Sequence, residues 1–169
     1  MILSYPEIRD FVAKAFSDLI SAKYPSTESI SGVATGGIAQ GALVANNLNL
    51  PMTYVRSGAK KHGRQNQVEG VCTLDQKVVV IEDLVSTGGS SLQAVDALRE
   101  KGVFVEAMLA IFTYEFDVSV QAMKAANVPF TSLSSYSYLI EEAQKLGYVS
   151  SEEMASLMEW KKNPSEWQG

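Results

Sequence analysis

Apolar residues recur at helical spacing from the start of the chain. Ile8, Phe11, Val12, Ala15, Leu19 and Ile20 fall on one face of a 3.6-residue period, which predicts an amphipathic helix running to about Lys23. Ser4, Pro6 and Glu7 precede it in the order of a capping box, with Ser4 accepting from first-turn amides and Glu7 reaching back. A short apolar run from Ile30 to Ala34, interrupted by Gly32, reads as a strand; the turn Thr35-Gly36-Gly37 then opens a second helical stretch through Leu43, Val44 and Leu48. Met52 to Arg56 reads as another strand, followed by a polar loop from Ser57 to about Gln67 that contains Gly58 and Gly63.

Val78-Val79-Val80-Ile81 shows no alternation, so both faces of this strand should be covered, as in a parallel sheet with helices on each side. It ends in Glu82-Asp83, and Ser86 to Ser91 is rich in turn and N-cap residues. Leu92, Val95 and Leu98 set a helical period that stops at Gly102, and Val103 to Phe112 supplies the next strand. Together these spell one βαβ unit. The rest of the chain predicts a helix near Val118 to Ala126, a strand near Phe130 to Leu133, and helices near Tyr136 to Leu146 and Ser151 to Lys162. Strands alternating with helices throughout imply an α/β fold with a mostly parallel sheet flanked by helices.

Composition narrows the function. A chain of 169 residues fits one compact domain and buries roughly 70% of its unfolded surface, so it needs no disulfide or metal scaffold. The single Cys72 and the single His62 cannot make a structural zinc site. With one cysteine, no signal-like start and no long apolar run, a reducing cytoplasmic setting without membrane insertion is the expectation. Cys72 reads as a small buried hydrophobe, and Trp160 and Trp167 as packing residues of the terminal helix region. The net charge of −5 argues against a general nucleic-acid binder. Its distribution is uneven, because no Asp or Glu lies between Glu28 and Glu69 while Arg56, Lys60, Lys61 and Arg64 fall in that gap. Such a run is either a solvated loop or an anion site.

Ligands of open α/β sheets bind outside the carboxyl ends of the strands, where three loops stand: Thr35-Gly36-Gly37, Arg56 to Arg64, and Glu82 to Ser91. In the third, consecutive amides leading into a helix N-terminus can cradle a phosphate, helped by the hydroxyls of Ser86, Thr87, Ser90 and Ser91. Glu82 and Asp83 would repel that anion unless they face ribose hydroxyls or a hydrated Mg2+. Acids beside a phosphate cradle suggest a sugar phosphate. Rival motifs fail on spacing. No two glycines stand two apart as the dinucleotide fingerprint requires, no Lys follows Gly37 or Gly41 as in a Walker A loop, and Gly32/Gly36 and Gly37/Gly41 enclose alanine where a hydrolase elbow needs serine.

The stretch Val79-Val80-Ile81-Glu82-Asp83-Leu84-Val85-Ser86-Thr87-Gly88-Gly89-Ser90 resembles the phosphoribosyl-pyrophosphate (PRPP) motif of the type I phosphoribosyltransferases. Tyr54 to Arg64, continuing through Val68-Glu69-Gly70, resembles the mobile catalytic loop of the orotate-using branch of that family, and Gly32 to Ala39 resembles its pyrophosphate loop. The resemblance extends from about Leu3 to Tyr114. It implies the fold of that family and transfer of a phosphoribosyl group from PRPP to orotate, giving orotidine 5′-phosphate and pyrophosphate in pyrimidine (UMP) synthesis. It also implies a homodimer with shared active sites and Mg2+ held mainly by PRPP, with no direct protein ligand.

By the same resemblance, Glu82 and Asp83 hold the ribose hydroxyls, and Leu84, Val85, Ser86, Thr87, Gly88, Gly89 and Ser90 wrap the 5′-phosphate, with Ser86 also beside orotate. Thr35 and Gly36 belong to the pyrophosphate loop, while Arg56, Lys60 and His62 contact pyrophosphate, some of them in the neighbouring subunit's site. Lys60, His62 and Asp83 are the implied catalytic residues. The chemistry suits them: departure of pyrophosphate leaves a cationic sugar, so the catalyst must neutralise a polyanion and exclude water, as a closing cationic loop can.

Three positions depart from the family pattern. Ser57 stands where many members carry Lys, and Tyr114 where some carry an Arg that meets the base. The chain also begins at Met1-Ile2-Leu3-Ser4-Tyr5-Pro6, just after the place where members carry a Ser-Gly-x-x-Ser-Pro-x-Tyr segment over the base, so a single domain over residues 1–169 with that hood largely absent is expected. A phosphoribosyltransferase for another base and a PRPP-sensing regulatory protein remain the alternatives.

Overall fold

A computed structural model describes residues 2–56 and 67–164. Its centre is a six-stranded sheet in the order β3-β2-β1-β4-β5-β6. The strands are β1 (Ser29–Val33), β2 (Met52–Val55), β3 (Val68–Glu69), β4 (Lys77–Val85), β5 (Phe104–Thr113) and β6 (Phe130–Ser135). All neighbours pair in parallel except the short β3, which runs antiparallel to β2. The helices are α1 (Pro6–Lys23), α2 (Gly36–Leu48), α3 (Gly89–Arg99), α4 (Asp117–Ala125), α5 (Tyr136–Lys145) and α6 (Ser151–Lys162).

The unbroken apolar run of β4 has the predicted cause. Val78 and Val80 enter one core with Val95 and Leu98 of α3, while Val79 and Ile81 enter another with Phe16 of α1 and Val44 of α2. All four β4 residues are at most 1% exposed. Successive side chains of a strand alternate between faces, so a strand covered on both sides must be apolar at every position.

Strand order follows from the connections. The β1-α2-β2 unit adds a strand on one side of β1 and puts α2 on one face; the β4-α3-β5 and β5-α4-β6 units add strands in the other direction and put α3 and α4 on the opposite face. β1 and β4 are therefore adjacent in the sheet although 43 residues lie between Val33, the last of β1, and Lys77, the first of β4. Alternation alone did not predict that pairing.

Several expectations need correction. The Ser4 capping box does not form: Ile2–Ser4 is a 3-10 turn closed by the Tyr5 N–H on the Ile2 carbonyl, and Tyr5 caps α1 without a side-chain bond. Pro6 starts the helix, removing one amide that a cap would have served. A capping box does form between Ser150 and Glu153 at the start of α6. The buried stripe of α1 is Val12, Ala13, Phe16, Ser17 and Ile20, whereas Ile8 and Phe11 are exposed. β4 runs on through Glu82-Asp83 to Val85 instead of ending there. Cys72 is only partly buried, packs against the α3-side core, and has its thiol pushed up by that burial. No helix among the described residues is long and apolar enough to cross a membrane.

Candidate active site

The order in which strands are added reverses between the parallel strands β1 and β4, so the connections leaving their carboxyl ends part into a crevice flanked by helices on opposite faces. β4 outruns β1 here. Its last pair with β1 is Ile81 with Gly32, and beyond that point it pairs only with β5, through Glu82 with Ala110, Leu84 with Phe112 and Val85 with Thr113. The uncovered edge opens a cleft of about 190 Å3 whose walls include Ala34, Arg56, Glu82, Asp83, Ser90 and Gln93.

Pleating sends the two acids in different directions. Glu82 shares the parity of Val80 and turns toward α3, where it is buried to 5% exposure and accepts the Ser91 hydroxyl at 3.0 Å and the Asp83 amide at 3.1 Å. Burial, joined by the neighbouring Asp83 carboxyl, pushes the Glu82 carboxyl up to about 8. Glu82 is therefore neutral over most of the physiological range and does not repel an approaching phosphate. Asp83 shares the parity of Ile81, turns toward α2 and stays exposed.

Two glycines admit this arrangement. A Cβ on Gly36 would lie 1.8 Å from Asp83 Oδ2 and displace that carboxyl, while one on Gly37 would lie 2.3 Å from the Ile81 carbonyl, so the first turn of α2 can lie against the β4 backbone only where Gly37 carries no side chain. The predicted Thr35-Gly36-Gly37 turn and the acid pair thus meet in space. Thr35 caps α2 without a side-chain bond, and the Ala34–Thr35 peptide is cis.

The phosphate-loop candidates divide by exposure. Gly88, at φ +84°, turns the chain into α3, which carries no side-chain cap, so the amides of its first turn remain available to an anion. Leu84, Thr87, Gly89 and Ser90 are exposed and Ser86 is half-buried, but the Val85 side chain belongs to the core and can offer a ligand only backbone. Ser91 is corrected: its hydroxyl is buried and spent on Glu82, not free for a phosphate.

Arg56, at the end of β2, lines the cleft, with its Nη1 3.0 Å from Glu69 Oε1 of β3. Its amide donates to the Gln67 carbonyl, so the pairing of β2 with β3 extends to the last described residues on either side. Lys60 and His62 lie outside the described residues. Sequence reasoning missed Gln67, Gln93 and the Glu69 partner of Arg56. Gln93 could have been found by spacing, since it stands one turn after Ser90 on α3.

Tyr114 is not placed as a lone polar contact. Its ring stacks on Phe116 at 5.3 Å and meets Phe112 at 5.4 Å and Trp160 at 5.7 Å, so it is committed to an aromatic cluster that seats α6. Trp160 is a packing residue there, as expected, while Trp167 lies outside the described residues.

Comparison with known proteins agrees with this geometry. The phosphoribosyl transferase domain model matches residues 1–115. The orotate phosphoribosyltransferase of Cytophaga hutchinsonii is 48% identical over 167 residues, 99% of this chain and 80% of that protein. That of Bacteroides fragilis is 48% identical over 166 residues, 98% of this chain and 78% of that protein. Among solved structures, the orotate phosphoribosyltransferase of Aeropyrum pernix superposes with a TM-score of 0.77 at 26% identity, covering 88% of this chain and 81% of that one. The fold, the switch-point cleft and these matches agree: the chain belongs to the phosphoribosyltransferases, within the orotate phosphoribosyltransferase family.

Proposed function

We infer that the chain transfers the 5-phosphoribosyl group of PRPP to orotate, releasing pyrophosphate and forming orotidine 5′-phosphate for pyrimidine synthesis. The observation that carries this reading is the meeting of Arg56, Asp83, Ser90 and the Gly36 turn around one cleft at the sheet's switch point. Relatives 48% identical over nearly the whole chain bear the same activity in their names.

Each residue then has a task. The first-turn amides of α3, with Ser86, Thr87 and Ser90, take the 5′-phosphate, and Gly88 gives the loop the turn this needs. Asp83 accepts from the ribose hydroxyls, while Glu82, locked behind it by Ser91, holds the loop and the acid in place. As the bond from ribose C1 to pyrophosphate breaks, the electron pair leaves with the pyrophosphate oxygen and positive charge spreads over C1 and the ring oxygen. Arg56 and, by resemblance, Lys60 and His62 neutralise the departing group. The ring nitrogen of orotate, giving up its proton to the released pyrophosphate or to water, then bonds to C1.

Mg2+ fits the donors present, since Asp83 offers an exposed hard carboxylate oxygen. We assign the metal mainly to PRPP, with Asp83 the residue able to hold it from the protein side; when bound it would lower the charge of the leaving group. We also propose a homodimer in which Lys60 or His62 serves the neighbouring site, in a cytoplasmic setting without nucleic acid or membrane. Mixing Lys60→Ala with Asp83→Asn subunits tests the sharing: recovered turnover supports it, and none refutes it.

The reaction itself is tested by pyrophosphate release from PRPP with each of several bases. Release that depends on orotate is expected. Release with adenine or hypoxanthine but not orotate would move the reading to another base, and none with any base would leave a PRPP sensor.

A further inference from the structure

Glu115 stands two residues beyond β5, in the left-handed region at φ +57°, where a side chain other than glycine needs local support. The support converges from two distant helices. The Glu115 Oε2 accepts the Ser137 amide at 3.1 Å and the Ser137 hydroxyl at 2.6 Å in the first turn of α5, and the Lys161 Nζ at 2.7 Å from the last turn of α6. Lys161 also donates to Ser137 Oγ at 2.9 Å, closing the triangle. Partial burial alone would push the Glu115 carboxyl up, but the bonds from Lys161 and Ser137 outweigh it and bring it down to about 2.

The segment around Glu115 is also the floor of the loop assigned to the 5′-phosphate. The Tyr114 amide donates to the Val85 carbonyl at 3.1 Å, at the entrance of that loop. The Ser119 hydroxyl and amide both bond the Phe116 carbonyl, and Ser119 with Met123 forms the surface on which Gly88 rests. Thr87, Glu115, Phe116 and Lys161 line one cavity of about 540 Å3 between the loop and α6. Glu115, Phe116 and Lys161 do not line the cleft where the bond breaks.

We propose that Glu115, held by Lys161 and Ser137, is a positioning residue that braces the 5′-phosphate loop from behind, so that the seating of α6 sets the affinity for the phosphate end of PRPP. This rests on the phosphoribosyl-transfer reading. A brace behind Thr87 and Gly88 acts first on the phosphate subsite. It separates the phosphate end of the substrate from the pyrophosphate end.

The test measures binding of ribose 5-phosphate and of pyrophosphate separately by calorimetry, beside steady-state kinetics, on folded Lys161→Met, which keeps the aliphatic stem. The expected result is about tenfold weaker ribose 5-phosphate binding and a similarly raised KM for PRPP, with pyrophosphate affinity, orotate KM and kcat at saturation nearly unchanged. Lys161→Arg should restore ribose 5-phosphate binding. Unchanged ribose 5-phosphate affinity, equal losses for both ligands, or no rescue by Arg would overturn the brace. If Lys161→Met does not fold, Ser137→Ala removes one leg of the triangle and should weaken ribose 5-phosphate alone; no change there overturns the proposal equally. Failure of the wild type to turn over orotate would instead refute the assigned reaction, while the ribose 5-phosphate titration would still report on the brace.

Discussion

Replacing Glu82 by Gln tests the burial argument directly. In the folded chain the carboxyl keeps its proton to about pH 8, against an ordinary value of 4.5. Between those values folding takes up a proton, so the stabilisation from the neutral carboxyl is fully present below pH 4.5 and declines as pH rises through 8. At about 1.4 kcal/mol per unit of displacement the full span bounds the effect near 5 kcal/mol, and relaxation of a buried site brings the expected loss to about 2–3 kcal/mol. Glutamine has the same shape, can still accept from Ser91 and does not ionise, so its stability should stay flat over this interval. One acceptor for the Asp83 amide is lost, which costs about 1 kcal/mol at low pH. The variant should therefore melt below the wild type at pH 5 and above it at pH 8.5, and for a chain of this size the difference at high pH is about 5 °C. Calorimetric melts at intervals across this range decide the matter. Parallel curves without a crossing would show that Glu82 ionises in the fold at an ordinary pH, and the buried-acid account would fall.

Gly36→Ala should leave the melting temperature within about 3 °C, because the clash falls on the movable Asp83 carboxyl, yet lower kcat/KM about 100-fold by displacing that acid; unaltered kinetics would remove Asp83 from the ribose site. Lys60→Ala should cut kcat far more than it weakens PRPP binding, and equal losses in the two would count against a transition-state role. Phe16→Ala should cost about 3–5 kcal/mol in denaturant unfolding, since the ring is wholly buried between α1 and the sheet; a cost under about 1 kcal/mol would contradict the assigned register of α1.

Helix positions and the parallel architecture were readable because their signals are local. The tail helices begin within a residue of their expected starts, while α3 ends at Arg99, three residues before Gly102, which at φ +79° closes the turn that follows. The register of α1 was not readable. Ile8 and Phe11 satisfy the same period as Val12, Phe16 and Ile20, and only packing against Val44 of α2 and the β1 and β4 residues Ile30, Val79 and Ile81 selects which stripe is buried. The adjacency of β1 and β4 was likewise hidden, because it joins segments far apart in sequence. Arg56 could be read as a cation near an anion site, but its fixed pairing with Glu69 depends on a two-residue strand that carries no periodic signal.

The acid pair shows how a small error in element boundaries conceals chemistry. Placed beyond the end of β4, Glu82 and Asp83 read as two equivalent groups at the mouth of a site. Placed inside the strand, the pleat makes them unlike, because one must follow Val80 toward α3 and the other Ile81 toward α2. The α3 side supplies Ser91 and burial, so Glu82 becomes a neutral structural acid; the α2 side supplies the bare backbone of Gly36, and Asp83 remains exposed among the described residues. A switch point has helices on both faces at the same strand end, and an adjacent pair of acids there delivers one carboxyl to each. On the proposed reading, a polyanionic sugar phosphate meets one exposed acid for its hydroxyls, because the second acid has been turned inward and neutralised by the same geometry that opens the cleft.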